Sequence, residues 1–119
     1  GALPSTKFAR TWDRDLPIHG RAMVVTDDTL FVAGAPVLMD EQKVYSQLHA
    51  GGEAPPQLLA AEAAFLGQKG GTLIAVKPED GTTTREIPLP SPPVFDGLIA
   101  AQQRLYLAAM DGTVTCFGP

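Results

Sequence analysis

The feature that most constrains this chain is an internal repeat. The segment MVVTDDTLFVAG (residues 23–34) matches LIAAQQRLYLAA (residues 98–109) position for position, and GGTLIAV (residues 70–76) matches DGTVTCF (residues 111–117) in the next step. The two units lie about 75 residues apart, and about thirty of those residues belong to an interruption at 36–69. Without the interruption each unit would have ~45 residues, a size typical of one four-stranded propeller blade.

The polarity of the predicted strands supports this interpretation. The first two strands of each unit are apolar on both faces, which is expected of inner strands that are packed between neighbouring blades. The segment TTTREIPLP (residues 82–90) alternates polar and apolar residues, which is expected of a half-exposed outer strand. The sequence therefore predicts an all-β fold of about two propeller-type, four-stranded antiparallel blades with a short helical insertion.

The interruption contains one helix signal. PPQLLAAEAAFLG begins with two prolines and ends at Gly67, which predicts a helix of ~9–11 residues. Leu58 and Phe65 belong to a predicted apolar stripe, and this stripe could pack on the blade or face a partner chain.

Both ends of the chain are predicted to carry unpaired strands. Residues 7–17 resemble the outer strand of a preceding blade, with Trp12 as its large anchor. Residues 18–90 would form the first blade, and residues 91–119 would form three strands of a second. An uncovered strand edge is an aggregation hazard, and closed propellers need ~4–8 blades. We therefore expect either a longer propeller or several copies in one ring, in which each copy donates residues 7–17 to a neighbour.

Two stretches resemble a known family. LIAVKPEDGTTTREIPL (residues 73–89) resembles the repeat of the pyrroloquinoline-quinone-like, or quinoprotein-like, β-propellers. LPSPPVFDGLIAAQQRLYLAAMDGTVTCFG (residues 89–118) resembles the carboxyl-terminal blades of large exported bacterial proteins with this propeller. The resemblance covers most of the chain from about Trp12 to Gly118, apart from the helical interruption. It implies an extracytoplasmic location, periplasmic or at the cell surface.

Departures from the family pattern affect the predicted function. The family repeat typically ends with a Trp on the outer strand, whereas this chain has Glu86 and Ile87 there. Quinone-binding members use a neighbouring cysteine pair, a stacking Trp and a calcium site, whereas this chain has one Cys and one Trp. The resemblance therefore favours a non-enzymatic module for protein–protein interaction or assembly, without a cofactor. The alternative is a fragment of a quinoprotein-like oxidoreductase, and a carbohydrate-binding module is a weaker one.

Charge and composition argue against several other classes. The net charge of −4 with a pI near 4.9 argues against nucleic-acid binding, which requires a concentrated basic patch. No apolar run approaches the ~18 residues of a membrane-spanning helix, so no membrane insertion is expected. The start of the sequence lacks the apolar core of a signal peptide. The single cysteine, Cys116, is expected to be a small buried hydrophobic residue.

The sequence predicts no catalytic, cofactor-binding or metal-binding residue. Asp27-Asp28 and Glu79-Asp80 lie in predicted turns, where Asp is favoured. His19 and His49 have no further ligands at metal-binding spacing.

Phe95 and Asp96 precede an inner strand in the motif PPVFDG. They could contact a partner at the rim of the ring, or they could fill and cap the entrance of the blade. The candidates for interaction or blade closure are therefore Trp12, Leu58, Phe65, Phe95 and Asp96. The expected partners are other copies of this chain or missing propeller blades.

Overall fold

The computed structural model describes residues 9–38 and 56–119. Along the chain the elements are β1 (Ile18–Val25), β2 (Leu30–Pro36), α1 (Pro56–Phe65), β3 (Gly71–Val76), β4 (Thr83–Leu89), β5 (Pro93–Ala101), β6 (Arg104–Ala109) and β7 (Val114–Phe117). They form a four-stranded antiparallel sheet in the order β1-β2-β3-β4 and a three-stranded antiparallel sheet in the order β5-β6-β7. The predicted all-β fold with a short helical insertion is confirmed.

The main core lies between the two sheets. Leu73 lies opposite Ala33 on the first sheet, and Leu98 lies opposite Leu107 on the second. Because side chains alternate along a strand, these rows place one apolar face of each sheet in the same layer. The buried residues of this layer are Ala22, Ala33, Leu73, Leu89, Leu98, Leu105, Leu107 and Ala109. A buried Leu in such a layer contributes about 2–5 kcal/mol by the usual cost of truncation to Ala.

A smaller cluster covers part of the opposite face of the first sheet. Ile18, Ile74 and Val76 are buried there, and Trp12 and Leu16 pack against them. The segment before β1 therefore lies on the side of the first sheet that faces away from the second sheet.

The helix α1 confirms the predicted helix, with ten residues from Pro56 to Phe65. Gly67 has a φ of 89°, and the amide of Gln68 donates to the carbonyl of Ala63 at 2.9 Å, so the chain leaves the helix through a left-handed residue. The predicted apolar stripe is not buried as one surface. Leu58 is half-buried and Phe65 is exposed, and among the described side chains of the helix Ala64 is buried.

The sequence placed an outer strand at residues 7–17, and the structure differs there. Residues 9–17 form no strand, while residues 7 and 8 lie outside the described range. Trp12 packs against its own chain. The donation of this segment to another blade stays a prediction.

Two predictions of burial were wrong. Cys116 is exposed, because β7 pairs with β6 and has no second neighbour among the described strands. The first strand of each sheet is not covered on both faces: Met23 on β1 and Ile99 on β5 are 66% and 61% exposed. Apolar sequence on both faces indicates surface that can be buried, but the described part of this chain leaves these two residues uncovered.

Candidate interaction surface

Trp12 is fixed on the turn between β3 and β4. Its indole N–H donates to the carbonyl of Pro78 at 2.7 Å, and the guanidinium of Arg14 donates to the carbonyl of Asp80 at 3.3 and 3.4 Å. Gly81 lies directly under the indole ring: a Cβ built on Gly81 would approach Trp12 Cε3 to 2.5 Å. Gly81 also has a φ of 77°, so both its backbone and its contact with the ring require glycine.

The same Asp-Gly-Thr sequence forms the β3–β4 and β6–β7 turns. The Asp80 carboxylate accepts a hydrogen bond from the Thr82 amide at 2.9 Å, and the Asp111 carboxylate accepts one from the Thr113 amide at 3.0 Å. Hydrogen bonds from the side chain and the amide of the following Thr lower the pKa of each carboxyl group below its usual value. The predicted turn roles of the acidic pairs are supported by these bonds and by the Thr26 amide, which donates to the Thr29 carbonyl across Asp27-Asp28.

Arg21 joins two of the predicted site residues. Its Cζ lies 5.1 Å from the centroid of the Phe65 ring and 5.6 Å from that of the Phe95 ring. One terminal nitrogen donates to the carbonyl of Phe65 at 2.6 Å, at the carboxyl-terminal end of α1, and the other lies 2.7 Å from Met110 Sδ. Arg21 is only 8% exposed, and no carboxylate among the described residues is paired with it. The helix carbonyl and the two ring faces supply the negative potential that stabilises this cation.

Backbone irregularities place these side chains. The β1–β2 register shifts between Gly20 and Ala22, which is where Arg21 lies. The β5–β6 register shifts between Pro93 and Leu98, and within this stretch Asp96 has a φ of 59°. Bulges redirect side chains out of the normal alternation. The sequence did not predict Arg21, and the available signal was a charged residue at the start of the apolar run RAMVV.

The five predicted site residues do not form one site. Phe65 and Phe95 meet at Arg21, and Asp96 is the exposed neighbour of Phe95 along the chain. Trp12 lies at the β3–β4 turn. Leu58 is half-buried on α1. The structure therefore brings Phe65 and Phe95 together at Arg21 and places Trp12 elsewhere, at the β3–β4 turn.

The second sheet exposes its outer face, which we define as the face turned away from the first sheet. Ile99, Tyr106 and Cys116 form one cross-strand row on this face, and Ala108 and Val114 form the next. Ile99 is 61% and Val114 71% exposed. Exposed apolar rows of this kind are typical of interaction surfaces.

A groove opens between the sheets beside β7, with a volume of about 890 Å³. Its apolar walls include Phe31, Ile87 and Phe117. Its polar lining comes from both hairpin turns and two cationic side chains: Asp27, Asp28, Gln102, Gln103, Arg85 and Arg104. Gln102 and Gln103 both have positive φ, so their hairpin has the backbone of a tight turn without glycine.

Within residues 9–38 and 56–119, no three His, Cys, Asp or Glu side chains come together as a possible metal site. His19 is exposed on β1, and His49 lies outside the described residues. No described helix is both long and apolar enough to span a membrane.

Comparison with protein-family models, curated proteins and solved structures found no match for this chain. The quinoprotein-like resemblance therefore stays a prediction from the sequence.

Proposed function

We propose that this chain is a non-enzymatic, propeller-type module for protein–protein assembly. The observation that carries the proposal is the second sheet, whose outer face is apolar and exposed and whose last strand has one open edge among the described strands. Such an edge can accept a strand from another segment through backbone hydrogen bonds. The apolar face beside this edge would be buried by the segment that pairs there and by the sheet to which that segment belongs, and this burial would stabilise the assembly.

The arrangement of the two sheets supports the propeller part of the proposal. Each sheet is antiparallel in chain order, and the two pack face to face with the repeated rows between them. The outermost faces of the two sheets both expose apolar side chains. Met23 and Val25 project from the first sheet, and Ile99 and Val114 project from the second. A further blade, from another copy or from a longer chain, would cover both faces.

The position of Trp12 is a further argument. In the family that the sequence resembles, a Trp on the outer strand docks between blades. Trp12 lies on the β3–β4 turn of the first sheet and donates to Pro78, as expected of a residue that joins a preceding blade to this one.

The test is the mass of the chain in solution, measured by light scattering on a sizing column over a range of concentrations. We expect a discrete complex of two, three or four copies, because closed propellers contain ~4–8 blades and each copy supplies about two. The mass of one chain at every concentration would contradict self-assembly.

A carbohydrate-binding role is the second candidate, and the groove between the sheets is the observation that favours it. Asp27, Asp28, Gln102 and Gln103 offer hydrogen-bonding groups at one end, and Phe31 and Phe117 offer apolar surface. Binding sites for small ligands commonly combine such groups. Titration against a panel of glycans tests this role, and saturable binding that is lost on Gln103→Ala would support it. Absence of binding across the panel would contradict it.

A further inference from the structure

We infer that the segment before β1 of one copy pairs as an antiparallel strand with β7 of another copy, with Arg10 opposite Cys116 of that other copy. This inference rests on the proposed assembly function and names the two surfaces that meet. It assigns the occupant of the β7 edge, the direction of the pairing and its register.

The repeat places residues 9–17 in the role of an outer strand. The shift of about 75 residues that relates β1 and β2 to β5 and β6 also relates Pro17 to Pro92, Trp12 to Ile87 and Arg10 to Arg85. The contacts agree with this equivalence. Ile87 on β4 packs into the layer that faces the second sheet, and Trp12 packs onto the first sheet. Each residue therefore contacts the sheet that follows it in the chain.

The segment is held by its side chains, and its backbone pairs with no strand of the described structure. Trp12 and Arg14 donate to carbonyls of the β3–β4 turn, and Leu16 packs against the cluster that contains Ile18. Trp12, Arg14 and Leu16 therefore point to the same side, which is the periodicity of an extended strand. Before them, the Arg10 guanidinium pairs with the Asp13 carboxylate at 3.2 Å, and this exposed ion pair would open when residues 10–13 join the sheet of another copy. No hydrogen bond between backbone groups involves residues 9–16 in the described structure. Their amides and carbonyls can pair with another strand while Trp12 stays in place.

The pairing of β3 with β4 in the first sheet indicates how a strand would be added to β7. There β4 pairs antiparallel with β3, and Arg85 lies opposite Ala75. The repeat relates Ala75 to Cys116, since GGTLIAV matches DGTVTCF. A strand added to β7 in the same register would place the equivalent of Arg85, which is Arg10, opposite Cys116.

The same register places Trp12 opposite Val114 of the accepting copy. Val114 is 71% exposed on the outer face of the second sheet. Paired residues of neighbouring strands project to the same face, so the added strand and the first sheet on which Trp12 packs would cover part of this apolar face.

Cys116 allows a direct test, because it is the only cysteine of the chain and it is exposed. Directly opposed residues of neighbouring strands have Cα atoms about 4.5–5.5 Å apart, within the range that a disulfide can bridge. We expect the variant Arg10→Cys, oxidised at a concentration where light scattering shows association, to form a disulfide between position 10 of one copy and Cys116 of another. Mass spectrometry of the digested product identifies the linked peptides.

The matched control is Thr11→Cys, one residue along the same segment. Its side chain would point to the opposite face, since neighbouring strand residues alternate. We expect at least about tenfold less linkage to Cys116 from position 11 than from position 10. The double variant Arg10→Cys/Cys116→Ser should abolish the linkage.

The outcomes separate the two proposals. Association of the chain with equal linkage from positions 10 and 11, or with linkage from neither, would overturn this inference and leave the assembly function standing. A chain that stays monomeric at all concentrations would overturn both.

Discussion

Gly81 combines a left-handed backbone with a close contact to Trp12. The equivalent glycine of the second unit, Gly112, has the left-handed backbone without such a contact and therefore serves as a control. Replacing Gly81 with Ala should lower the free energy of unfolding by about 1–3 kcal/mol, because Ala is strained at positive φ and its methyl group would displace the indole. Gly112 has a φ of 87° with no atom within 4 Å of an added Cβ. Gly112→Ala should therefore show the backbone cost alone, roughly 1 kcal/mol.

Urea unfolding measures both costs, and the emission of Trp12, the only tryptophan, reports its docking. Gly81→Ala should shift the emission to longer wavelength, whereas Gly112→Ala should leave it unchanged. Equal losses of stability with unchanged emission in both variants would show that the contact between Gly81 and Trp12 has no energetic role.

Asp80 and Asp111 predict a dependence of stability on pH. Hydrogen bonds from Thr82 and Thr113 lower the pKa of each carboxyl group in the folded chain below the ordinary value of 3.8. The charged carboxylates therefore stabilise the fold at pH values above the pKa that these groups have in the unfolded chain. This contribution is lost as the pH falls through the lowered pKa of the folded chain. The double variant Asp80→Asn/Asp111→Asn keeps an acceptor oxygen but cannot titrate.

We expect the wild-type urea midpoint to fall more than that of the double variant between about pH 6 and pH 3. Parallel pH profiles for the two proteins would mean that these turns do not contribute to the acid sensitivity.

The helix α1 is joined to the sheets through Arg21, and this contact can be tested at the level of the element. Arg21→Met keeps an unbranched apolar stem but removes the donor to the Phe65 carbonyl and the cation over the two rings. A hydrogen bond from a charged group contributes about 1.5–3 kcal/mol. Amide exchange of residues 56–65 should therefore accelerate by about tenfold or more, while β3 exchanges as before.

Arg104→Met is the matched control, because Arg104 is exposed and makes no contact with α1 in the described hydrogen bonds. Unchanged protection of the helix in Arg21→Met would show that α1 is held by apolar packing, chiefly at Ala64.

Elements with a strong local signal were predictable from the sequence. The two polar residues between apolar runs located the hairpins, and the prolines and Gly67 located α1. Arg21 was not predictable, because its position depends on a bulge in β1 and on rings from two distant elements. The predicted burial of Cys116 was also wrong. The alternation of polar and apolar residues along a strand indicates which face a residue occupies, but not whether another surface covers that face.

At the scale of the whole molecule, the described chain leaves apolar rows on both outermost faces. The rows on the first sheet include Met23 and Val25, and those on the second include Ile99 and Val114. The repeat in the sequence predicted the number and order of strands in each sheet. It also explains the exposed rows, because a repeating sheet with two apolar faces buries both only when a further sheet packs on each side.

Val114 provides the sharpest test of this surface, because it is 71% exposed and lies on the outer face beside the open edge of β7. In Val114→Lys the added charge would have to be desolvated in an assembly that buries this face. We expect its association constant, measured by light scattering over a concentration series, to fall by about tenfold or more. Unfolding in urea should change little, because an exposed substitution usually alters stability by less than about 0.5 kcal/mol.

The matched control for Val114→Lys is Leu59→Lys, which adds the same charge at an apolar residue that is 62% exposed on α1. Wild-type association of the Leu59 variant together with a loss in the Val114 variant would place the contact on the second sheet. Equal losses in both variants would point to a general effect of added charge, and wild-type association of Val114→Lys would exclude this face from the assembly.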